Sequence, residues 1–591
     1  MCGIFGYAGT PTDAAAMVFG ALKHLDYRGY DSWGIAVGAS NAVHTAREVG
    51  KLTTQPTGLP QAGIALGHTR WATTGRVTVE NAHPHCDCTG RLAVVHNGII
   101  ENHALLRAEM VAAGHRLLSQ TDSEVAAHLI EDELAALAPG QGSLVEALRR
   151  VGRRLEGCNT IAVLDAASGE LAASRNGSPL VVGLSGGASY LASDMAALLQ
   201  FTQRLVWIED QQVVSLQAGT ISLFDAATGR TMPINVEQIG WCPEQAALGG
   251  FQHFLQKEIR EQPMLLRRIA AEGMEQATAL GSFLSAGRQL HLVGCGTAYH
   301  AALAGRYLIA RAGYPAFVSH AHEFGAIAAQ LKPGDRVLAF SQSGETIDVL
   351  DAVRAARHAG TPVAALINVP GSTLAREVNL PLMLGAGPEK AVLSTKTFMA
   401  KIAYLMLGVG VVQGTPECAS SMLREAADEI EQLLTGQGLA AIRELARTIA
   451  PHDHLFILGR GLGYVLAVEA ALKIKEATYI HAEGFPAGEL KHGVIALIEP
   501  GTPVIIFAPP GADEAHLLSS ASEVQARGAF VIGVGPRHHD LFDVHLPVPS
   551  GDLAYVLESL TLMQQLAYEL ALLRGTDPDK PRNLAKSVTV R

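Results

Sequence analysis

Residues 290–367 and 455–534 present the same order of elements twice, and that repetition constrains the second half of the chain more than any other feature. The first copy reads as an apolar strand Leu290–Val293, a Gly-Cys-Gly-Thr turn and a helix through Ala312. A strand Arg336–Phe340, a polar loop Ser341–Thr346, a helix to Ala359 and a strand Val363–Ile367 follow. The second copy reads as a strand Leu455–Leu458, a Gly-Arg-Gly turn and a helix through Ala477. A strand Val504–Phe507, a loop Ala508–Gly511, a helix to Arg527 and a strand Phe530–Val534 follow. Apolar strands alternating with helices predict βαβαβ units, each a parallel sheet with helices on both faces. The polar loop of copy one becomes Ala-Pro-Pro-Gly in copy two, so the second copy is expected to keep the scaffold and to have lost that ligand loop.

The first part of the chain has another texture. Short β-rich segments such as Gly63–His68, Leu92–Val95, Thr160–Val163 and Val213–Leu216 dominate, with helices near Asp13–His24 and Asp122–Leu137, an α+β pattern. Trp241–Gly250 reads as a linker. The expected division is therefore 2–235, a linker 236–250, two α/β units at 251–430 and 440–579, and a tail 580–591.

Composition removes several classes. Hydrophobic residues make up 48% and charged residues 17%, which excludes a disordered chain. No apolar run approaches the ~18 residues of a membrane span, and Ile402–Val412 reads as a core helix. A net charge of −11 gives a nucleic-acid partner no electrostatic support. No basic cluster and apolar stretch mark a secretory signal, and seven cysteines at scattered positions fit a reducing cytosol. A cytoplasmic location is expected.

Cys2 stands behind Met1. Removal of the methionine would leave one residue with both a thiol and an α-amine able to take the thiol proton. Alone, the dipeptide reads as an ordinary buried cysteine. Three further segments change that. Arg70 can hold a carboxylate by its fork, and Asp122 an ammonium, although capping a helix is its plainer reading. Asn97 and the Gly98 amide can stabilise an oxyanion formed when Cys2 attacks a side-chain carboxamide. A carboxamide with a zwitterionic head is glutamine. His83, His85, Cys86, Asp87 and Cys88 have metal-ligand chemistry, but they lack a second paired half and sit too close together for tetrahedral ligation, so no metal is expected.

In the second half, Ser341-Gln342-Ser343-Gly344-Glu345-Thr346 brings hydroxyls, an amide and helix-start N–H groups together without a cation, which suits a phosphate monoester. Gly294-Cys295-Gly296-Thr297 lies at the same carboxyl edge of the expected sheet, where open α/β sheets bind ligands. Glu469, Lys473 and Glu476 share a helical stripe beside the apolar one. An ion pair on a wet face is the plain reading; partial burial would make a carboxylate a base. His492 lies in a loop suited to proton transfer. The tail 580–591 is basic yet partly apolar, and a tail lysine docked over a sugar phosphate could form a Schiff base.

Cys2-Gly3-Ile4, Tyr27-Arg28-Gly29-Tyr30-Asp31-Ser32, His68-Thr69-Arg70-Trp71-Ala72-Thr73 and His96-Asn97-Gly98 resemble the N-terminal-nucleophile glutamine amidotransferases over about residues 2–235. That resemblance implies an αββα sandwich that hydrolyses glutamine to glutamate and ammonia. Cys295-Gly296-Thr297, Ser341–Thr346, Ser394-Thr395-Lys396, Glu469–Glu476, Glu489–Gly493 and Pro581–Val590 resemble tandem sugar isomerase domains. Joined, the halves are similar along nearly the whole chain to the isomerizing glutamine–fructose-6-phosphate aminotransferase family. The resemblance implies that Arg70, Trp71, Thr73 and Asp122 bind glutamine, and that Trp71 gates an internal ammonia channel. It implies that Thr297, Ser341, Gln342, Ser343, Thr346 and Ser394 bind the sugar phosphate. Lys586 would form an imine with the ketone, Glu476 would move a proton between C1 and C2 with Lys473 nearby, and His492 would assist ring opening in a neighbouring subunit, hence a homodimer. No cofactor is implied. Two positions depart from the family pattern: Thr74 stands where it has His, and Ala298 where it has Ser.

Two other readings compete. A phosphoribosyl-pyrophosphate-type amidotransferase would carry paired acidic residues after a strand of its second half, and none is found. A sugar-phosphate sensor would not need Cys2, Lys586 and Glu476 together.

Overall fold

The computed structural model describes residues 2–137, 143–549 and 553–589; Met1, Val590 and Arg591, named above, lie outside them. The chain forms two compact units, one taking in the sequence to Ala247 and the tail from Ala585, the other running Leu248–Leu584.

The first unit is built on two antiparallel sheets. One has eight strands in the order Glu237–Gln238, Arg204–Trp207, Val181–Ser185, Ala188–Ala192, Gly3–Gly9, Ile64–Arg70, Ser32–Ala39, Ala42–Val49. The other has seven, in the order Thr231–Met232, Thr220–Asp225, Gln212–Gln217, Glu170–Asn176, Asn159–Asp165, Leu92–Gly98, His85–Cys86. Ile4, Leu66 and Val182 of the first pack against Val95, Ala162, Leu164 and Val214 of the second. Helix Ala14–Lys23 covers the outer face of the first sheet; a Cβ on Gly67 would stand 2.4 Å from Val18 Cγ1, so glycine lets the helix lie directly on the strand. Helices His103–Ala112, Glu124–Ala136 and Leu144–Gly152 cover the second sheet through Leu106, Met110, Leu129 and Leu148. The layers are helix, sheet, sheet, helix, as the α+β texture and the resemblance led one to expect.

The second unit holds two five-stranded parallel sheets of the same topology. Their orders are Ala316–His320, Leu290–Gly294, Arg336–Ser341, Val363–Ile367, Leu380–Met383 and His481–Pro486, His454–Gly459, Pro503–Phe507, Phe530–Gly535, Val544–Pro547. The three inner strands of each copy match the sequence reading to within a residue at their ends, because they are buried on both faces over most of their length and therefore mainly apolar. The flanking strands were not anticipated: Ala316–His320 is partly exposed along its length, and its apolar run is only three residues, Ala316-Phe317-Val318. Ile402–Val412 is the end of a largely buried helix, Lys396–Val412. Among the described residues no helix is long and apolar enough to cross a membrane.

Candidate active sites

In the first unit, antiparallel pairing of Gly3 with Thr69 sets Cys2 beside the end of strand Ile64–Arg70. The Trp71 N–H donates to Cys2 Sγ at 3.3 Å, and Asn97 Nδ2 donates to the Cys2 carbonyl at 3.0 Å. The Asn97 amide is held in that sense by His68, whose Nε2 is 3.1 Å from Asn97 Oδ1 and 3.2 Å from the His96 carbonyl. Burial drops the His68 pKa to about 3, so the ring is neutral, and with two oxygens facing Nε2 the proton sits there. Gly98 has φ 140°, and a Cβ there would stand 1.9 Å from the Cys158 carbonyl oxygen, so only glycine fits.

Burial pushes the Cys2 thiol above its ordinary pKa, while the Trp71 N–H and Arg70 pull it back. The thiol therefore needs a base at hand to become a nucleophile. Arg70 is buried and donates to the main-chain oxygens of Thr74 at 2.6 Å, Gly75 at 3.2 Å and Arg76 at 3.2 Å. Its grip on Thr74 runs through the backbone and is indifferent to the side chain that departs from the family pattern. Thr73 is exposed in the same loop. Asp122 does not cap a helix: helix Glu124–Ala136 starts two residues later, and the carboxylate accepts the Ile100 N–H at 2.9 Å. Arg70 and Asp122 both lie within electrostatic reach of Cys2.

The motif residues around Arg28 brace this loop. A Cβ on Gly29 would stand 2.6 Å from the Arg70 carbonyl carbon, and Asp31 accepts the Ala72 N–H at 2.8 Å. Arg28 and Tyr27 both donate to Asp194 at 2.5 Å. Sequence reasoning missed Asp194, which lies 166 residues from Arg28 with no local pattern around it. His83 and His85 are buried in a row with His68, His83 tilted against His68 with ring centroids 4.3 Å apart and edge-on to His85 at 4.5 Å.

In the second unit, strands Leu290–Gly294 and Arg336–Ser341 are neighbours, and the chain continues to opposite sides of the sheet from them. Their carboxyl ends flank the crevice where such sheets take ligands. Thr297 opens the helix after one strand; Ser341–Thr346 is the loop after the other. The Ser341 hydroxyl accepts the Gly344 N–H at 2.9 Å, and the Ser343 hydroxyl accepts the Glu345 N–H at 3.1 Å. Gly344 has φ 68°, and a Cβ there would lie 2.1 Å from Ser372 Oγ. The Glu345 carboxylate accepts from the Thr373 N–H and hydroxyl at 2.7 and 2.8 Å, which ties the loop to the next turn. Thr346 is the helix N-cap residue, yet its side chain makes no capping hydrogen bond. Ser394 is bonded to Thr397 at 2.7 Å and Glu389 at 3.2 Å.

Glu469 is fully buried and gathers the crevice. Its carboxylate meets the Thr297 hydroxyl at 3.1 Å, His300 Nδ1 at 2.7 Å and Lys473 Nζ at 3.6 Å. Lys473 Nζ also donates to Glu476 at 2.6 Å. Burial works against the Lys473 ammonium, but Glu476 and Glu469 outweigh it and hold its pKa above the ordinary value. The wet-face reading of this stripe is thus overturned. His300 was missed by sequence reasoning, though its i,i+3 relation to Thr297 puts both on one helix face. His492 is exposed at the end of the 3-10 turn Ala487–His492. Tyr479 ends helix Leu462–Thr478 in the left-handed region at φ 63°, and the Arg582 guanidinium lies over its ring at 4.1 Å. Lys586 belongs to the tail that groups with the first unit.

A glutamine amidotransferase domain model matches residues 68–200, and a SIS domain model matches 283–409 and 448–535. Relatives from Symbiobacterium thermophilum and Leifsonia xyli, both glutamine–fructose-6-phosphate aminotransferases (isomerizing), are each 42% identical over the whole of both chains. The solved C-terminal domain of glucosamine-fructose-6-phosphate aminotransferase from Francisella tularensis is 28% identical, covers 57% of this chain and 99% of its own, and superposes with a TM-score of 0.52. Similarity that spans both halves without a gap in coverage settles the family: the chain belongs to the isomerizing glutamine–fructose-6-phosphate aminotransferases.

Proposed function

We infer that this chain is an aminotransferase that moves the amide nitrogen of glutamine to fructose 6-phosphate with isomerization, giving glucosamine 6-phosphate and glutamate, the entry to amino-sugar synthesis. The observation that carries this is the full-length 42% identity to enzymes of that name, with both the amidotransferase and the sugar isomerase parts in one polypeptide.

The residue roles follow from the chemistry. Once Met1 is removed, the Cys2 α-amine takes the thiol proton and sulfur attacks the glutamine carboxamide, with Asn97 and the Gly98 N–H receiving the oxyanion. Arg70 and Asp122 hold the two ends of the glutamine head group, and Trp71 and Thr73 close over it. Ammonia leaves as the thioester forms, and water then releases glutamate. Free ammonia is mostly protonated at pH 7, so a sheltered route past Trp71 keeps it nucleophilic. At the sugar, Ser341, Gln342, Ser343 and Thr346 hold the phosphate, with Thr297 and Ser394 beside it. His492 of a second copy helps open the ring, and Lys586 forms an imine with C2. Ammonia displaces the lysine; Glu476, poised by Lys473, takes a proton from C1 and returns it to C2. The short Lys473–Glu476 contact and the exposure of His492 support these assignments. The active form is a cytoplasmic homodimer, and the domains run 2–235, 251–430 and 440–579, with the tail 580–591 closing the sugar site.

Product analysis after mixing the chain with amide-labelled glutamine and fructose 6-phosphate tests the reaction. Labelled glucosamine 6-phosphate is expected; binding of the sugar phosphate without turnover would favour a sensor. Cys2→Ala should abolish the glutamine-dependent product and keep some ammonium-dependent product. Borohydride trapping with the sugar phosphate should mark Lys586, and a label elsewhere would refute its role.

A further inference from the structure

Four ligand-type side chains of the first unit converge on one point away from Cys2. Cys88 follows the short strand His85–Cys86, His115 lies beyond helix His103–Ala112, and His128 and Glu131 share one face of helix Glu124–Ala136. The ligand atoms Cys88 Sγ, His115 Nδ1, His128 Nδ1 and a Glu131 carboxylate oxygen all lie within 4.8 Å of one another. We propose that they form a structural zinc site.

The distances carry the argument. Cys88 Sγ is 3.5 Å from His115 Nδ1 and 3.5 Å from His128 Nδ1. Glu131 Oε2 is 3.3 Å from each of the same two nitrogens. Bond lengths of about 2.3 Å for Zn–S and about 2.0–2.1 Å for Zn–N and Zn–O, set at tetrahedral angles, give edges of about 3.6 Å for S···N and about 3.4 Å for N···O. The cluster has those edges. Direct hydrogen bonds from imidazole to carboxylate would draw the atoms to about 2.7–2.9 Å. Both rings turn Nδ1 inward. His115 bonds through its other nitrogen to Asp132 at 2.9 Å, the carboxylate–histidine arrangement that fixes the tautomer of a metal ligand. The Cys88 N–H donates to Glu131 Oε2 at 3.0 Å, which orients the carboxylate. Thiolate, two imidazoles and a carboxylate suit zinc over the hard cations. Four protein ligands leave no open position, so the metal is structural. Exposed Cys88 gives the ion an entry path.

The site would clamp the stretch between His115 and His128, which contains Asp122. It replaces the expectation of no metal: of the run from His83 to Cys88, only Cys88 takes part.

The test uses the full chain, stripped with a chelator and titrated with zinc chloride. Zinc analysis should return about one equivalent, and X-ray absorption should show one sulfur and three lighter ligands. Cys88→Ser with His128→Ala should lose the metal, Asp132→Ala should weaken binding about 10–100-fold, and Cys418→Ser should leave it unchanged. Wild-type chain that takes up no zinc, or a first shell lacking sulfur, overturns the proposal even if the double variant fails to fold. Retention of full zinc by a folded double variant does the same.

Discussion

Gly296 at φ 53°, ψ −129° and Gly461 at φ 55°, ψ −122° hold the same turn in the two parallel-sheet repeats, each directly ahead of its first helix. Beyond that shared turn the repeats diverge. The first follows its glycine with Thr297 and lines the second turn of its crevice with Ser341–Thr346. The second follows with Leu462, places Ala508-Pro509-Pro510-Gly511 at the second turn, and joins Arg460 to Asp513 across the crevice at 2.8 Å. Scaffold and chemistry thus separate cleanly. The fold demands the glycine and the apolar strands, whereas the hydroxyls serve no packing purpose that the second copy also needs.

The helices that follow those glycines invert the roles. Glu469, on the second repeat's helix, supplies the buried carboxylate that positions Thr297 and His300 of the first. Its counterpart, at the same distance from Gly296, is buried Ala304. Each repeat therefore contributes to one crevice, and this is where the largest effect is expected. Glu469→Ala takes the acceptor from Thr297 and His300 and one of the two carboxylates from Lys473, which keeps Glu476; breaking such a buried network costs about 3–5 kcal/mol. Denaturant unfolding measures it; a loss below about 1 kcal/mol would mean the network is not what joins the two helices.

A smaller contrast is expected between two glycines. Gly344→Ala must hold φ 68° and places a Cβ 2.1 Å from Ser372 Oγ and 2.6 Å from Ser372 Cβ. Backbone strain of about 1–3 kcal/mol plus displacement of the loop should raise the fructose 6-phosphate dissociation constant about tenfold or more. Gly511→Ala, at φ 127° with nothing within 4 Å, meets strain alone and should leave sugar affinity unchanged. Titration of the two variants with fructose 6-phosphate checks the pair, and equal losses would break the distinction between the loops.

Physical range decides what could be read in advance. Val363–Ile367 was legible to the residue because a strand covered on both faces must be apolar throughout. Ala316–His320 was not, since its partly wet edge needs no such run. The Glu469–Lys473–Glu476 stripe was legible as spacing. The burial of Glu469 and Lys473 within it was not, because that depends on Thr297 and His300, which lie 172 and 169 residues from Glu469. Cys88 drew notice by its ligand chemistry, but His115 and His128 stand 27 and 40 residues further on, beyond any local spacing rule. Cys2, Arg70, Asn97 and Asp122 were assembled from the chemistry of one small ligand, a constraint that acts across the chain in a way that periodicity cannot.

The smallest effect is expected at the Arg460–Asp513 pair. Its side chains are 47% and 45% exposed, so solvent screens the attraction and the pair contributes about 0–1 kcal/mol. Arg460→Ala and Asp513→Ala should each shift stability by less than that, and a double-mutant cycle at low and high salt should find little coupling. The more telling readout is whether freeing Arg460 from Asp513 restores an anion site to the second crevice. A phosphate cradle needs N–H and hydroxyl donors converging from the loop. Pro509 and Pro510 have no N–H, and Ala508 and Gly511 offer no side-chain donor, so a lone guanidinium would face the anion without the donors that Ser341 and Ser343 bring to the first crevice. Asp513→Ala should therefore bind inorganic phosphate no better than the parent chain by calorimetry. A new phosphate-binding event in that variant would show that the second repeat lost its ligand to an ion pair alone, and that the proline loop is incidental.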